Sequence, residues 1–331
     1  MGMIEIISAP SPLLIQDLGR RGYLKYGVPK SGVMDEVSAR LANYLVGNPD
    51  DSPLLEFTLV GPTIRFNSSA VFAVAGDVDV YLNDVKIEPW RSYWAKRGDI
   101  LRVGMLKSGM YGYIAFAGGI ECDRILGSCS TYLRANFGKP LKPGDKLKLG
   151  YAILTEKVGK SLPEEFIPKY GKEIRVILGP NLENFTRNGI ETFLISEYVV
   201  TKESDRMGYR LDGPRIEHSD KGADIITEAI PLGSIQVPAN GKPIVMLADA
   251  QTTGGYAKIA VVSKVDLPAI AQKRPGEKVK FREISVKEAQ ELLKARERTM
   301  KALRKALTAE GNLFRIKIKD FEGLIFAYTD E

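Results

Sequence analysis

The chain is expected to be mainly β with a minor helical share, arranged as two β-barrel-type domains. Three observations predict this. Short apolar or alternating runs of strand length, bounded by Gly, Pro, Asn and Asp, recur along most of the 331 residues. Only two segments hold a helical period. A polar, proline-flanked stretch from Glu156 to Pro168 separates two strand-rich halves. The division predicts an N-terminal β-rich domain with one helix over 1–165 and a second β domain over 166–331 ending in a long helix.

The elements follow in order. Asp35 precedes Val37, Leu41, Tyr44 and Leu45 on one helical face, and Gly47 with Pro49 ends that helix. Thr63-Ile64-Arg65-Phe66, Val78–Leu82 and Ile100–Val103 are strands. Asn83-Asp84 forms the turn between Val80-Tyr81-Leu82 and Val85-Lys86-Ile87. Leu147–Leu154 and Ile174–Leu178 are strands on either side of the domain boundary. Ser285 and Glu288 make a capping box. Behind it Val286, Ala289, Leu293, Met300, Leu303 and Leu307 form a stripe predicted to pack on its own domain and to stop near Gly311. Phe314, Ile316 and Ile318 alternate as a closing strand. Short echoes also occur: Leu59–Ile64 resembles Leu211–Ile216, and Lys96–Leu101 resembles Lys142–Leu147 and, more loosely, Arg274–Val279. Either recurrent turn chemistry or two related β-barrel domains would generate them.

Composition narrows the function classes. The net charge of +6 comes from 47 basic and 41 acidic residues, spread along the chain except for Lys294–Arg304 on the predicted helix. No basic stripe with interleaved aromatics marks a nucleic-acid site. No apolar run reaches membrane-span length, and Met1–Pro10 lacks a basic leader, so a cytoplasmic protein without a membrane role is expected. Cys122 and Cys129 are read as reduced structural thiols and His218 as a structural histidine, with no metal centre.

No GxGxxG, Walker lysine loop, HExxH or GxSxG is present. Three dense polar-glycine segments stand out instead. Gln16–Asp35 carries Arg20 and Arg21, able to hold a carboxylate or phosphate. Ser204–Leu211 carries Asp205, Arg206, Tyr209 and Arg210. Gly233–Tyr256 carries Gln236, Asp249, Gln251, Thr252, Thr253 and Tyr256. Amides that donate and accept at once suit recognition of an amide, a urea or a ureido ring. Thr252-Thr253-Gly254-Gly255 offers hydroxyls and backbone N–H groups toward an oxyanion.

In these segments, and in Leu41–Phe66, the chain resembles the KipA family, also called allophanate hydrolase subunit 2-like or biotin-dependent carboxyltransferase family proteins. The resemblance runs over nearly the whole chain and implies paired β-barrel domains, the C-terminal one cyclophilin-like. It implies association with a KipI-like subunit, and in 5-oxoprolinases with a LamB/YcsF-like subunit, to open 5-oxoproline with ATP. Two other roles within the same resemblance are a biotin-dependent carboxyltransferase acting on urea or an amide, and a non-catalytic regulator of a KipI-like kinase inhibitor. Carried onto this sequence, Asp205, Asp249 and Gln251 are the catalytic candidates. Arg20, Arg206, Tyr209, Gln236, Thr252, Thr253 and Tyr256 are the substrate-binding candidates. The chain departs from the family pattern at Ala250, where arginine is expected, and at Ala257, where proline is.

Overall fold

The computed structural model describes residues 2–152 and 158–308, together with the backbones of 312–318 and 321–327. The end of the predicted Leu147–Leu154 strand, part of the Glu156–Pro168 boundary and the helix stop near Gly311 lie outside the described residues.

The N-terminal half contains β1 (Gly2–Ser8), β2 (Leu13–Gln16), α1 (Glu36–Leu45), β3 (Leu54–Thr58), β4 (Thr63–Phe66), β5 (Ala70–Leu82), β6 (Val85–Ile87), β7 (Ser92–Ala95), β8 (Ile100–Phe116) and β9 (Lys146–Leu149). They form one curled nine-stranded sheet. Its main path runs β2-β3-β8-β4-β1-β9, and the long β5 pairs with β6, β7 and β8. Asn83 and Asp84 both take positive φ, as a two-residue hairpin turn between β5 and β6 demands. The Asp35 carboxylate caps α1 by accepting from the N–H groups of Val37 and Ser38, each at 3.0 Å.

The second half contains β10 (Glu173–Leu178), α2 (Arg187–Ile195), β11 (Glu197–Val200), β12 (Gly208–Asp212), β13 (Asp224–Ala229), β14 (Ser234–Gln236), β15 (Ile244–Met246), β16 (Thr253–Tyr256), β17 (Lys258–Val262), α3 (Leu267–Ala271), β18 (Lys278–Glu283) and α4 (Val286–Thr308). Seven strands close a barrel in the order β10-β17-β14-β15-β12-β11-β18. β13 and β16 stand off it as a two-stranded ribbon, and β19 (Asn312–Ile318) with β20 (Phe321–Ala327) forms a separate hairpin. Phe314, Ile316 and Ile318 thus fall in a strand, which among the described residues pairs with β20 alone.

Two expectations need correction. The α4 helix packs across the seam onto α1 instead of staying on its own domain. The cause is Arg40, whose guanidinium forks onto both Glu297 oxygens at 3.0 Å while Met300, Leu303 and Leu307 enter a core that both domains share. The cysteines are a disulfide and not free thiols, because an Ile125–Ser128 bridge folds the intervening loop and brings the two Cα atoms to 5.8 Å. The Lys96, Lys142 and Arg274 echoes share one turn geometry. In each KxGD-like turn the acid accepts from the N–H three residues earlier (Asp99 from Lys96, Asp145 from Lys142, Glu277 from Arg274), with positive φ at Gly98, Gly144 and Gly276. Gly61-Pro62 leads into β4, whereas Gly213-Pro214 follows β12.

His218 is structural as expected: its ring nitrogen bonds the Val237 carbonyl at 3.0 Å and its face lies 5.0 Å from Phe185. Among the described residues no helix is long and apolar enough to cross a membrane, and no group of His, Cys, Asp and Glu is placed to hold a metal.

Candidate functional site

Two of the three polar-glycine segments meet on one wall of the barrel. They line an open cavity of about 690 Å³, within the usual range for a small-molecule site. Asp205, Gln236, Gln251 and Tyr256 all face it. Arg210, Lys242 and Arg134 supply cations, and Arg134 comes from the N-terminal domain.

Strand alternation decides which of the 204–212 residues reach this cavity. β12 pairs antiparallel with β15, setting Tyr209 against Val245 and Arg210 against Ile244. Successive side chains take opposite faces, so Arg210 is exposed to the cavity while Tyr209 points inward. Tyr209 is 2% exposed, and its hydroxyl donates to the Ala271 carbonyl at 2.6 Å. That placement leaves Tyr209 inside the barrel and out of the cavity lining. The Asp205 carboxylate closes the preceding turn, accepting from Met207 N–H at 2.8 Å and Gly208 N–H at 3.3 Å. Both bonds fall on Oδ1, so Oδ2 remains for the cavity.

Arg206 lies behind the cavity, at the domain seam. Its Nε donates to Asp249 Oδ2 at 2.8 Å, Nη2 to the Gly32 carbonyl at 2.6 Å, and Nη1 to Glu56. Glu56 is buried in β3, where its other oxygen accepts from Met34 N–H at 2.8 Å and the Tyr113 hydroxyl at 3.0 Å. Burial raises the Glu56 pKa, opposed chiefly by the adjacent Arg206 charge. The Arg206 pKa rises despite its burial, because Glu56 and Asp249 surround it. The guanidinium and Asp249 are thereby committed to each other, and neither is a free anion clamp or a free base. Glu56 escaped the sequence reading, although an acid inside the buried run Leu54-Leu55-Glu56-Phe57 was a visible signal.

The Gly233–Tyr256 segment also divides. Gln236 is 1% exposed, and its amide donates to the Tyr256 carbonyl at 3.4 Å. Gln251 is exposed at the cavity. Thr253–Tyr256 is not an oxyanion turn: it is strand β16, whose backbone is laddered to β13. The Thr252 carbonyl is likewise used, by Ile230 N–H at 2.9 Å. Thr252 and Thr253 are not among the residues that line the cavity. Gly254 is required by space, because a Cβ there would lie 2.7 Å from Ile230 and 3.0 Å from the Gln236 amide. Next to this ribbon Lys258, 1% exposed, pairs with Glu228 at 2.5 Å.

Arg20 faces a different cleft, about 570 Å³, with Arg21 and Arg124. It is 2% exposed, donates to the Ser130 carbonyl at 2.5 Å and stacks over Phe137 at 5.0 Å. Burial lowers its pKa, against the charges of Asp17 and Asp249. The first segment thus braces the 132–137 loop that presents Arg134, and it does not line the larger cavity. Asp17 is equally occupied, accepting from Gly19 N–H, Ser128, Ser130 and Cys129 N–H.

Comparison with known proteins fixes the family. The carboxyltransferase domain family, subdomain A and B, matches residues 26–283. The chain belongs to this family. It is 37% identical over 302 residues to the C component of 5-oxoprolinase from Haemophilus influenzae, covering 89% of this chain and 96% of that one. The Escherichia coli protein of the same name is 34% identical, with 89% and 94% covered. Urea amidolyase of Lachancea kluyveri is 32% identical over 90% of this chain, but this chain spans only 18% of it. Among solved structures, the urea amidolyase of K. lactis superposes with TM-score 0.86 at 31% identity, covering 93% of this chain and 20% of that one. The protein TTHA0988 gives 0.78 at 35% identity, covering 85% of this chain and 56% of that one.

Proposed function

We propose that this carboxyltransferase-family chain is one component of a multi-chain, ATP-dependent 5-oxoprolinase that opens 5-oxoproline to L-glutamate. In this reading it works with a KipI-like subunit (the B component of 5-oxoprolinase) and a LamB/YcsF-like subunit (the A component), and it is inactive alone. The observation that carries the reading is the near full-length match to two relatives named as the C component of 5-oxoprolinase.

The cavity chemistry is compatible with such a substrate. 5-Oxoproline combines a carboxylate with a lactam. Arg134 and Arg210 offer guanidinium forks to the carboxylate, and Gln236 with Gln251 can both donate to and accept from the lactam. A resonance-stabilised lactam needs activation before water attacks. Transfer of the ATP γ-phosphoryl group to the lactam oxygen would release ADP. Water would then add to the ring carbon, and cleavage of the C–N bond, with a proton delivered to nitrogen, would give the γ-glutamyl phosphate. A second water would hydrolyse this acyl phosphate to glutamate and phosphate. Asp205, with Oδ2 toward the cavity, is the better-placed base for the water, since Asp249 is held by Arg206. ATP contact is assigned to the assembly and not to a particular residue here.

A second reading, a biotin-dependent carboxyltransferase acting on urea or another amide, is favoured by the superposition on urea amidolyase. A non-catalytic partner of a KipI-like protein is the third.

The test is co-expression with the two partner subunits and measurement of glutamate released from 5-oxoproline with and without ATP. ATP-dependent release that disappears when this chain is omitted, and when Gln251→Ala replaces it in an intact assembly, is the expected result. Avidin-sensitive carboxylation without glutamate release would move the assignment to the carboxyltransferase. An intact assembly with neither activity would leave the regulatory role.

A further inference from the structure

A second cavity, of about 490 Å³, opens at the domain seam and shares no lining residue with the first. Its walls are Trp90, Tyr111 and Tyr170. Trp90 is held at φ 60°, a left-handed conformation costly for a bulky residue, with its side chain only 6% exposed. Lys273 also lines this cavity. It is 8% exposed, and its ammonium has no hydrogen-bond or ion-pair partner among the described residues. An ammonium on a cavity wall without an ion-pair partner is open to an incoming anion.

The other polar groups around the cavity are already used. Gln272 accepts from Met110 and Tyr111 N–H and donates to Asp35 and the Tyr111 carbonyl. The Tyr170 hydroxyl donates to Asp35, and Ser108 donates to Asp77. Glu277 accepts from Arg274 N–H, and Glu164 pairs with Lys169 on the exposed rim. Among the described residues, Asp77 and Glu277 thus keep their charges without a cationic partner, and Lys273 is the lining cation without an anionic one, beside the aromatic walls. We propose that this cavity binds a small aromatic carboxylate, with its flat body between the rings and its single negative charge on Lys273. The site is independent of the 5-oxoproline reading, because it lies in a different cavity.

The probe is indole-3-acetate, titrated into the full-length chain by calorimetry, with indole-3-acetamide as the isosteric neutral control. Tryptophan emission gives a second readout, since Trp90 is one of only two tryptophans. A charge-assisted contact to the Lys273 ammonium predicts that the acid binds about tenfold or more tighter than the amide. Lys273→Met should erase that preference, and Lys273→Arg should keep it. Equal binding of acid and amide to the native chain, or no binding of either, overturns the proposal. So does a preference that survives Lys273→Met, which would place the contact on another cation.

Discussion

Replacing Arg206 by methionine removes the one counter-charge that two buried carboxylates share. The Glu56 side chain is 2% exposed and that of Asp249 11%. Breaking a buried ion pair from one side costs about 3–5 kcal/mol, because the remaining charge stays uncompensated. For a chain of this size that corresponds to a fall of roughly 4–7 °C in melting temperature. The informative partner is Glu56→Gln. One Glu56 oxygen must keep accepting from Met34 N–H and the Tyr113 hydroxyl, so the new NH₂ would face the Arg206 guanidinium, donor against donor. Glu56→Gln should therefore destabilise the native chain yet relieve Arg206→Met, where it removes a stranded charge. Denaturant unfolding of the four chains in this double-mutant cycle should give a coupling of about 2 kcal/mol or more. Additive effects, or an Arg206→Met cost below about 1 kcal/mol, the level of a surface pair, would refute the reasoning that this triad holds the seam.

Three other outcomes follow from the geometry. Gly112→Ala would place a methyl 2.2 Å from the Phe57 ring and should destabilise by about 1–3 kcal/mol in thermal unfolding. For Glu297, burial raises the carboxyl pKa, but the Arg40 hydrogen bond and the charges of Arg40, Arg296 and Lys264 outweigh it and leave the pKa below its usual value. A carboxylate depressed in the folded state adds stability above its unfolded pKa of about 4.3, and that stability is lost as pH falls through the lower folded value. Glu297→Gln should accordingly flatten the acid limb of the stability–pH curve. If the proposed 5-oxoprolinase assembly is reconstituted, Arg134→Met should raise its KM for 5-oxoproline more than it lowers kcat, while Arg20→Met should impair folding or stability first; equal effects of both on KM alone would contradict their placement.

How much was legible in the sequence depended on whether the signal was local. The α1 cap at Asp35, the Asn83-Asp84 hairpin and the Ser285 cap, whose hydroxyl accepts from Glu288 N–H at 3.1 Å, were readable because a few neighbouring residues determine them. The destination of α4 was not. Its stripe predicts a buried face but not which surface buries it, and the deciding contact pairs residues 257 positions apart. The same limit applied to the site. The segments stand out as dense and polar, yet Tyr209 turns inward, and Arg206 spends its guanidinium on Glu56, 150 positions away. Arg134 went unnoticed for the complementary reason: a single arginine in a loop carries no periodicity, and only the fold brings it to the barrel.

The placement of Arg206 changes what the dense polar segments are for within this one chain. Arg206 N–H groups reach the N-terminal domain at Glu56 and Gly32 and the barrel at Asp249, and the chain runs from Asp249 directly to Gln251 at the cavity. The Ser31 N–H donates to the Ala248 carbonyl at 2.9 Å, one residue before Asp249. The loop that delivers Gln251 is therefore clamped from both sides by the other domain. Arg20, stacked on Phe137, braces the loop that delivers Arg134 from the opposite direction. The first polar-glycine segment thus acts on the cavity through position and not through contact. A rigid seam is what allows an amide on one domain and a guanidinium on the other to hold a fixed spacing, and a small substrate with two recognised ends requires that spacing.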